Sequence, residues 1–239
     1  PTPTPTVTPV ATVTPTPGTK PGTTVTPGTG ADKAPTPTPK PGQGTNQTPT
    51  PTPGATLVIT PAPSDNNPDN TPVVITANLK KTVYNYDGKA HKPAVSVYQN
   101  GTRIRSSNYT VTYKNNKNAG IATVSVKGKG NYKSVKLTLK FQIKPPKISI
   151  SRLTGLRKSI SVRWKKNSQT SGYQIQCASN RRFTSGRKTI KVSGKTKTSG
   201  KLTGLKAKKK YYVRIRAYKK TRGIYLYGNW SSAKTVTTK

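Results

Sequence analysis

The sequence predicts an all-β protein in which two β-sandwiches follow a disordered linker rich in Pro and Thr. Two observations carry this prediction. Nineteen of the 22 prolines lie in residues 1–72, where Pro and Thr alternate over long stretches. The rest of the chain consists of short segments with alternating apolar and polar residues, separated by turn residues. A period of two indicates a strand, because successive side chains of a strand point to opposite faces.

Residues 1–72 begin PTPTPTVTPV and are predicted to form a disordered linker or stalk. So few apolar residues cannot bury enough surface to offset the entropy of ordering. Alternating proline favours the extended polyproline II conformation, and the abundant threonine also allows an O-glycosylated stalk. Val58 and Ile59 interrupt the pattern too briefly to predict a strand. The sequence has no initiator methionine or signal peptide, so we expect it to be part of a longer protein.

Charge is the second strong feature of the chain, whose formal net charge is +39. Residues 73–239 contain 40 of the 43 Lys and Arg residues but only one acidic residue, Asp87. Such a surface attracts polyanions, more strongly at low salt. Nucleic acid, anionic wall polymers, acidic glycans and membrane surfaces are the candidates. No apolar run approaches the length of a transmembrane helix, so membrane insertion is not expected.

The first folded unit is predicted to span residues 73–146. Turn residues at Asp87-Gly88 and Asn100-Gly101 separate its alternating segments, and Asn-Gly is the strongest short hairpin signal. The clearest segment places one set of apolar residues on a single face: Val135, Leu137, Leu139, Phe141 and Ile143. Lys136, Thr138, Lys140 and Gln142 are predicted to share the other face. About six strands in about 70 residues predict a small antiparallel β-sandwich.

This unit also resembles a known family. The stretches VYNYDGKAHKP, NYTVTYKNNKNAG, GKGNYKS and FQI resemble, in this order, the bacterial immunoglobulin-like repeats called MBG or YDG modules. The resemblance covers residues 76–144. It implies an origin in secreted or surface proteins of Gram-positive bacteria and no catalysis. It supplies no ligand-binding residues.

The second folded unit is predicted to span residues 147–239, because Pro145-Pro146 disfavours continuing a strand across the boundary. Its predicted strands are 148–153, 159–164, 172–178, 187–192, 197–203, 210–219 and 224–237, the last broken near Gly228. About seven strands with a turn signal roughly every ten residues predict an immunoglobulin-like sandwich.

Four stretches of this unit, SVRW, SGYQIQCAS, LTGLKAKKKYYVRIRAY and GNWSSAKTVTT, resemble a fibronectin type III domain over residues 148–237. The resemblance implies that Trp164 is the core tryptophan of the second strand. It also implies that Tyr211, six residues after Leu205, is a corner tyrosine whose hydroxyl contacts backbone just upstream. Cys177 departs from the family, which often has Tyr there, and we interpret it as a small buried apolar residue.

No catalytic centre, metal site or cofactor site is predicted. His91 is the only histidine, and Asp87 is the only carboxylate of the folded part, so paired carboxylates are excluded. Asp87 is interpreted as shaping the turn before Gly88. Cys177 lies at an inward strand position, where a thiol is a poor nucleophile. The chain is therefore predicted not to be an enzyme, although an upstream catalytic domain in the same protein is compatible with this.

Two surfaces are candidate binding sites. If strands 172–178 and 210–219 are neighbours, their outer face presents an aromatic and amide platform of Gln174, Gln176, Tyr212, Arg214, Arg216 and Tyr218, with Tyr225, Tyr227 and Trp230 nearby. Such a platform can stack on sugar rings or on bases, or it can be an ordinary exposed β face. The lysines before the long strand are either solvated or contacts for a phosphate-rich polymer: Lys206, Lys208, Lys209 and Lys210.

The predicted function is that of a non-catalytic accessory region of a bacterial secreted or cell-surface protein. It would act as a spacer and as an adhesion or cell-envelope-association module, with weak, charge-driven contacts to envelope polymers or glycans. One alternative is a carbohydrate-binding module attached to a secreted glycosidase or peptidase. A third is a surface protein that binds polyanions or nucleic acid, but neither unit resembles a sequence-specific nucleic-acid module.

Overall fold

The computed structural model describes residues 54–59 and 73–239, and the all-β prediction is confirmed. The first sandwich contains eight strands: β1 (Gly54–Ile59), β2 (Val73–Leu79), β3 (Val83–Asn85), β4 (Val95–Gln99), β5 (Thr102–Arg103), β6 (Tyr109–Lys114), β7 (Gly120–Gly128) and β8 (Lys136–Lys144). Its two sheets have the orders β1-β2-β4-β5 and β3-β8-β7-β6. Apart from residues 54–59, the predicted linker lies outside the described residues.

The core of the first sandwich follows from alternation along β7 and β8. Leu137, Leu139, Phe141 and Ile143 of β8 are buried against Ala122, Val124 and Val126 of β7 and against the apolar residues of the other sheet. Lys136, Thr138 and Lys140 point outward as predicted. Gln142 is an exception, because it is only 3% exposed although it belongs to the polar set.

Two details of the first sandwich differ from the sequence predictions. Gly54–Ile59 forms a strand that pairs antiparallel with β2, from Gly54 opposite Asn78 to Ile59 opposite Val73. The prediction of no strand at Val58 and Ile59 is therefore wrong, because a neighbouring sheet edge supplies the backbone partners that the segment lacks by itself. In addition, β3 pairs with β8 in parallel, so the sandwich is not purely antiparallel.

The predicted Asn-Gly hairpin is present between β4 and β5. Gln99 pairs with Thr102, which leaves Asn100 and Gly101 as a two-residue loop with φ values of 47° and 82°. Positive φ at both positions is the requirement of a type I′ turn, which matches the twist of the strands it joins. The Oδ1 atom of Asn100 also accepts a hydrogen bond from the Val74 N–H at 2.8 Å, which ties the turn to β2.

The second sandwich contains eight further strands: β9 (Ile150–Leu156), β10 (Ser159–Trp164), β11 (Gly172–Ala178), β12 (Lys188–Ser193), β13 (Ser199–Leu202), β14 (Lys210–Thr221), β15 (Ile224–Tyr227) and β16 (Lys234–Thr237). One sheet has the order β13-β10-β9, and the other has the order β12-β11-β14-β15, with β16 also paired to β14. The last predicted strand is broken after Tyr227, as expected from the sequence.

Trp164 lies at the centre of the second core. Its ring centroid is 5.0 Å from that of Tyr173, and both residues are almost fully buried. Gly200 makes room for this packing, because a Cβ there would lie 2.7 Å from Cδ1 of Ile175 and 3.3 Å from the Trp164 ring. Cys177 is fully buried in the same core, as interpreted from the sequence.

The two sandwiches meet through Pro145-Pro146 and the loops on either side. Gln169 accepts a hydrogen bond from the Ala119 N–H at 3.1 Å through Oε1 and donates through Nε2 to Oδ1 of Asn118 at 3.3 Å. Gly228 packs so tightly that a Cβ there would lie 2.6 Å from the Pro145 carbonyl oxygen. The junction is therefore a packed contact. Within the described residues, no helix is long and apolar enough to cross a membrane.

Candidate functional site

The predicted platform is built by the neighbouring strands β11 and β14. Their register places Gln176 opposite Arg214 and Gln174 opposite Arg216. The Oε1 atom of Gln176 accepts hydrogen bonds from Nε and Nη2 of Arg214 at 2.9 and 2.6 Å. The Oε1 atom of Gln174 accepts from Nε of Arg216 at 2.6 Å. The alternation of the sequence therefore brings these four side chains together, but they bind one another.

Aromatic rings cover both guanidinium groups. The Cζ atom of Arg214 is 4.0 Å from the ring centroid of Phe183 and 4.4 Å from that of Trp230. The Cζ atom of Arg216 is 4.4 Å from the ring centroid of Trp230 and 4.0 Å from that of Tyr227. The result is one alternating column, here named the arginine–aromatic stack: Phe183, Arg214, Trp230, Arg216 and Tyr227.

The electrostatics of the stack differ from those of an ion pair. Residues 147–239 contain no Asp or Glu, so no carboxylate of this domain can neutralise either arginine. Burial lowers the pKa of Arg216 to about 10, and it also lowers the pKa of Arg214. Both groups stay protonated at neutral pH, where the electron-rich ring faces and the amide oxygens of the glutamines stabilise their charge.

The expectation that this face is open to solvent is wrong for three of its residues. Gln174, Gln176 and Tyr218 are only 8%, 7% and 4% exposed. The Tyr218 hydroxyl lies 3.1 Å from Oγ of Ser193, and its ring packs against Tyr225. The physical reason is that the rings of the stack and of the β15 hairpin fold across the sheet.

The remaining platform residues, Tyr212, Arg214, Arg216 and Trp230, are half-buried. Binding of a ligand by these residues stays a prediction. Hydrogen bonds within the protein occupy Nε of both arginines, Nη2 of Arg214, Oε1 of both glutamines and Nε2 of Gln176, so a sugar cannot use these atoms without breaking those bonds.

Phe183 is the member of the stack that the sequence analysis missed. It lies in the loop after β11, outside any alternating segment, and it is held at a φ of 59°, which is uncommon for a bulky residue. Its ring is nevertheless 4% exposed. A large aromatic residue in an otherwise polar loop, RRFTSGR, was the available signal for a buried anchor.

The corner of the second sandwich has the geometry that the family resemblance implies. The Tyr211 hydroxyl accepts a hydrogen bond from the Lys206 N–H at 3.1 Å, and Leu205 and Tyr211 are both buried. The adjacent lysine loop is held by Thr238, whose Oγ1 donates to the Lys206 carbonyl at 2.6 Å and accepts from the Lys209 N–H at 3.0 Å. The side chains of Lys206, Lys208 and Lys210 are exposed, and Lys209 is half-buried.

Asp87, His91 and Cys177, the residues considered for catalysis, each take part in a turn or in packing. Oδ1 of Asp87 accepts a hydrogen bond from the Lys89 N–H at 2.9 Å, which forms the expected turn, and this bond lowers the pKa of Asp87. His91 stacks on Tyr84 at 4.4 Å, with Nε2 3.2 Å from the Asp87 carboxylate, so it has a packing role that the sequence did not indicate. Burial raises the pKa of the Cys177 thiol. In the described part of the chain, His, Cys, Asp and Glu form no cluster that could hold a metal ion.

Residues 144–227 match the family model of the fibronectin type III domain. This match supports the assignment of the second sandwich as such a domain, and in the structure β16 continues the domain beyond Tyr227. Fibronectin type III domains are typically non-catalytic and often serve as spacer or adhesion modules in multidomain proteins. No curated protein sequence matches the chain.

Three solved structures illustrate the similarity. The FN5 domain of Drosophila Lar is 26% identical, with 38% of this chain and 94% of that chain covered and a TM-score of 0.32. The FN1–FN3 domains of chicken CNTN1 are 16% identical, with 78% and 62% covered and a TM-score of 0.35. A segment of two fibronectin type III domains from chicken tenascin is 16% identical, with 80% and 97% covered and a TM-score of 0.38.

Proposed function

We propose that this region is a non-catalytic spacer of a bacterial secreted or cell-surface protein and that its charge retains it at anionic polymers of the cell envelope. The observation that carries the proposal is the charge distribution. Residues 73–239 combine 40 Lys and Arg residues with Asp87 as their only carboxylate. Such an excess attracts polyanions over one Debye length, which is about 8 Å at physiological salt.

The packed junction supports the spacer part of the proposal. Hydrogen bonds from Gln169 to Asn118 and Ala119 join a loop of the second sandwich to the loop before β7 of the first. The Gly228 backbone meets Pro145 in van der Waals contact. A spacer holds an attached module at a fixed distance only if its own domains do not move freely relative to each other, and these contacts restrict that motion.

The bacterial and extracellular parts of the proposal rest on the first sandwich. Its motifs, from VYNYDGKAHKP to FQI, resemble modules of bacterial surface proteins. The Pro/Thr-rich residues 1–53 are typical of a stalk that separates modules outside the cell. The two sandwiches would then display a module that lies upstream of this region and is either catalytic or adhesive.

The test is binding of the full 239-residue chain to purified, protein-free cell-wall fragments of a Gram-positive bacterium. Charge-driven retention predicts that the bound fraction falls steeply between low and physiological salt, because counterions screen exposed charges. Wall fragments stripped of their anionic polymers are the matched control and should retain little protein. Binding that does not change with salt, or that survives removal of the anionic polymers, would contradict the proposal.

A further inference from the structure

The outer face of the sheet formed by β9, β10 and β13 is a second surface that the sequence analysis did not single out. Alternation along β10 turns Ile160, Val162 and Trp164 inward and leaves Ser161 and Arg163 outside. The strand registers place Arg152 and Ser199 beside Arg163, and Thr154 and Lys201 beside Ser161. These residues form the surface named here the cationic face: Arg152, Thr154, Ser161, Arg163, Ser199 and Lys201.

The central feature of the cationic face is a pair of arginines directly opposite each other. Arg152 and Arg163 are cross-strand partners, and both are exposed. Like charges in this position destabilise a sheet. Across the described residues 54–59 and 73–239, neither side chain makes a hydrogen bond or an ion pair, and this domain has no carboxylate to separate them. The arrangement costs stability and receives no internal compensation.

The opposite sheet of the same domain provides the contrast. There, Arg214 and Arg216 each bind a glutamine and stack between aromatic rings. Arg214 and Arg216 thus each have hydrogen-bond and ring partners within the domain, whereas Arg152 and Arg163 have no hydrogen bond within the described residues. The free pair lines a shallow groove of about 280 Å³, together with Thr154, Leu156 and Ser161.

We propose that the cationic face binds a phosphodiester polymer that carries no bases, of the polyol phosphate kind. The planar guanidinium matches phosphate oxygens with two parallel hydrogen bonds, and two such groups across a strand pair can hold one phosphate between them. Strand geometry sets the rows at a spacing of about 6.7 Å, so Lys201 and the hydroxyls of Thr154 and Ser161 lie one row further along. They meet the next part of the polymer.

The composition of the face distinguishes this polymer from single-stranded nucleic acid. Proteins that bind single strands place aromatic rings where successive bases can stack. The six residues of the cationic face include no aromatic ring, and they offer hydroxyls that suit a polyol backbone. This inference rests on the proposed retention by envelope polymers, for which it names the contact surface.

The experiment measures binding of the full chain to purified poly(glycerol phosphate) by titration calorimetry at low salt. In Arg152→Gln/Arg163→Gln we expect the Kd to rise at least tenfold. The matched control is Arg181→Gln/Arg182→Gln, which removes two exposed arginines of the same domain outside the cationic face, and we expect its Kd to change less than threefold. Arg152→Lys/Arg163→Lys keeps the charge but loses the planar fork, and its Kd should lie between those of wild type and the Gln variant.

The outcomes distinguish binding at the cationic face from the more general proposal of retention at envelope polymers. Equal weakening in the Gln variant and in the control means that net charge alone binds the polymer, which overturns the site but not envelope retention. If the wild-type protein binds neither the polymer nor the wall fragments, the site on the cationic face and the proposed envelope retention are both overturned. A single-stranded oligonucleotide with the same number of phosphates should bind more weakly than the polymer, and equal or tighter binding overturns the assignment to a base-free polymer. Loss of the like-charge pair should leave the melting temperature unchanged or raise it, so reduced binding cannot be attributed to unfolding.

Discussion

Polar side-chain groups of the second sandwich are stabilised in two different ways. The Tyr211 hydroxyl accepts a hydrogen bond from a backbone N–H at a corner of the fold, whereas the half-buried Arg216 guanidinium lies between rings and a glutamine amide, with no carboxylate beside it. The Tyr211 hydrogen bond is local, because its partner Lys206 lies five residues upstream. The surroundings of Arg216 are not local, because they bring together β11, β14 and the segment that contains Tyr227 and Trp230. The two cases therefore differ in how much of the fold must form before they exist.

Tyr211→Phe tests the local case. The substitution removes the acceptor of the Lys206 N–H and leaves this donor partly buried, so we expect the free energy of unfolding to fall by about 1–2 kcal/mol. Both tryptophans lie in the second sandwich, so their fluorescence in a urea titration reports the unfolding of that sandwich. Tyr212→Phe is the control, because within the described residues its hydroxyl makes no hydrogen bond, and it should change stability by less than about 0.5 kcal/mol. Equal effects would contradict the corner assignment.

At the scale of elements, β14 organises the second sandwich. Its inner residues Tyr211, Val213 and Ile215 are buried in the core, while Arg214 and Arg216 on its other face hold the arginine–aromatic stack. The strand thus packs on both sides. One side is the hydrophobic core, and the other is a layer in which Trp230 separates two cations.

A double-mutant cycle measures this second layer. Trp230→Leu removes the ring that lies 4.4 Å from both guanidinium carbons, and we expect a loss of about 2 kcal/mol in the free energy of unfolding. Arg216→Met keeps the apolar stem without the charge. If Trp230 stabilises the cation, the coupling energy of the two changes should be about 0.5–2 kcal/mol. Urea titration followed by Trp164 fluorescence provides the values, and additive effects would show that the ring merely fills space.

The strands with strong alternation, such as β8 and β14, could be predicted from the sequence, because their periodicity is a local property. β1 could not, since its residues become a strand only when the edge of β2 supplies hydrogen-bond partners. The sequence predicted the strand residues of the platform and the nearby Trp230, but not that rings close over the arginines, because Phe183 reaches Arg214 from a loop without any alternation. Gln142 is buried for a similar reason: its burial depends on neighbours that periodicity does not specify.

At the scale of the whole molecule, function as a spacer depends on the angle between the two sandwiches. Gly228 and Pro145 are in contact at the junction, and Gln169 ties the loops beside them. If this contact fixes the angle, both sandwiches should rotate in solution as one body. Without it, the Pro145-Pro146 connection would let each unit tumble with its own correlation time.

Gly228→Val tests whether the junction is rigid. A Cβ at this position would lie 2.6 Å from the Pro145 carbonyl oxygen and 3.2 Å from that of Pro146, so the two backbones must separate. Backbone ¹⁵N relaxation of the wild-type chain should give one rotational correlation time for residues 73–146 and 147–239, and the variant should give two shorter ones while both sandwiches stay folded. Ala207→Val adds methyl groups to an exposed loop of the same sandwich and should behave as wild type. A variant that still tumbles as one body would show that this contact does not set the angle, and Gln169→Ala would then show whether the hydrogen bonds of Gln169 set it instead.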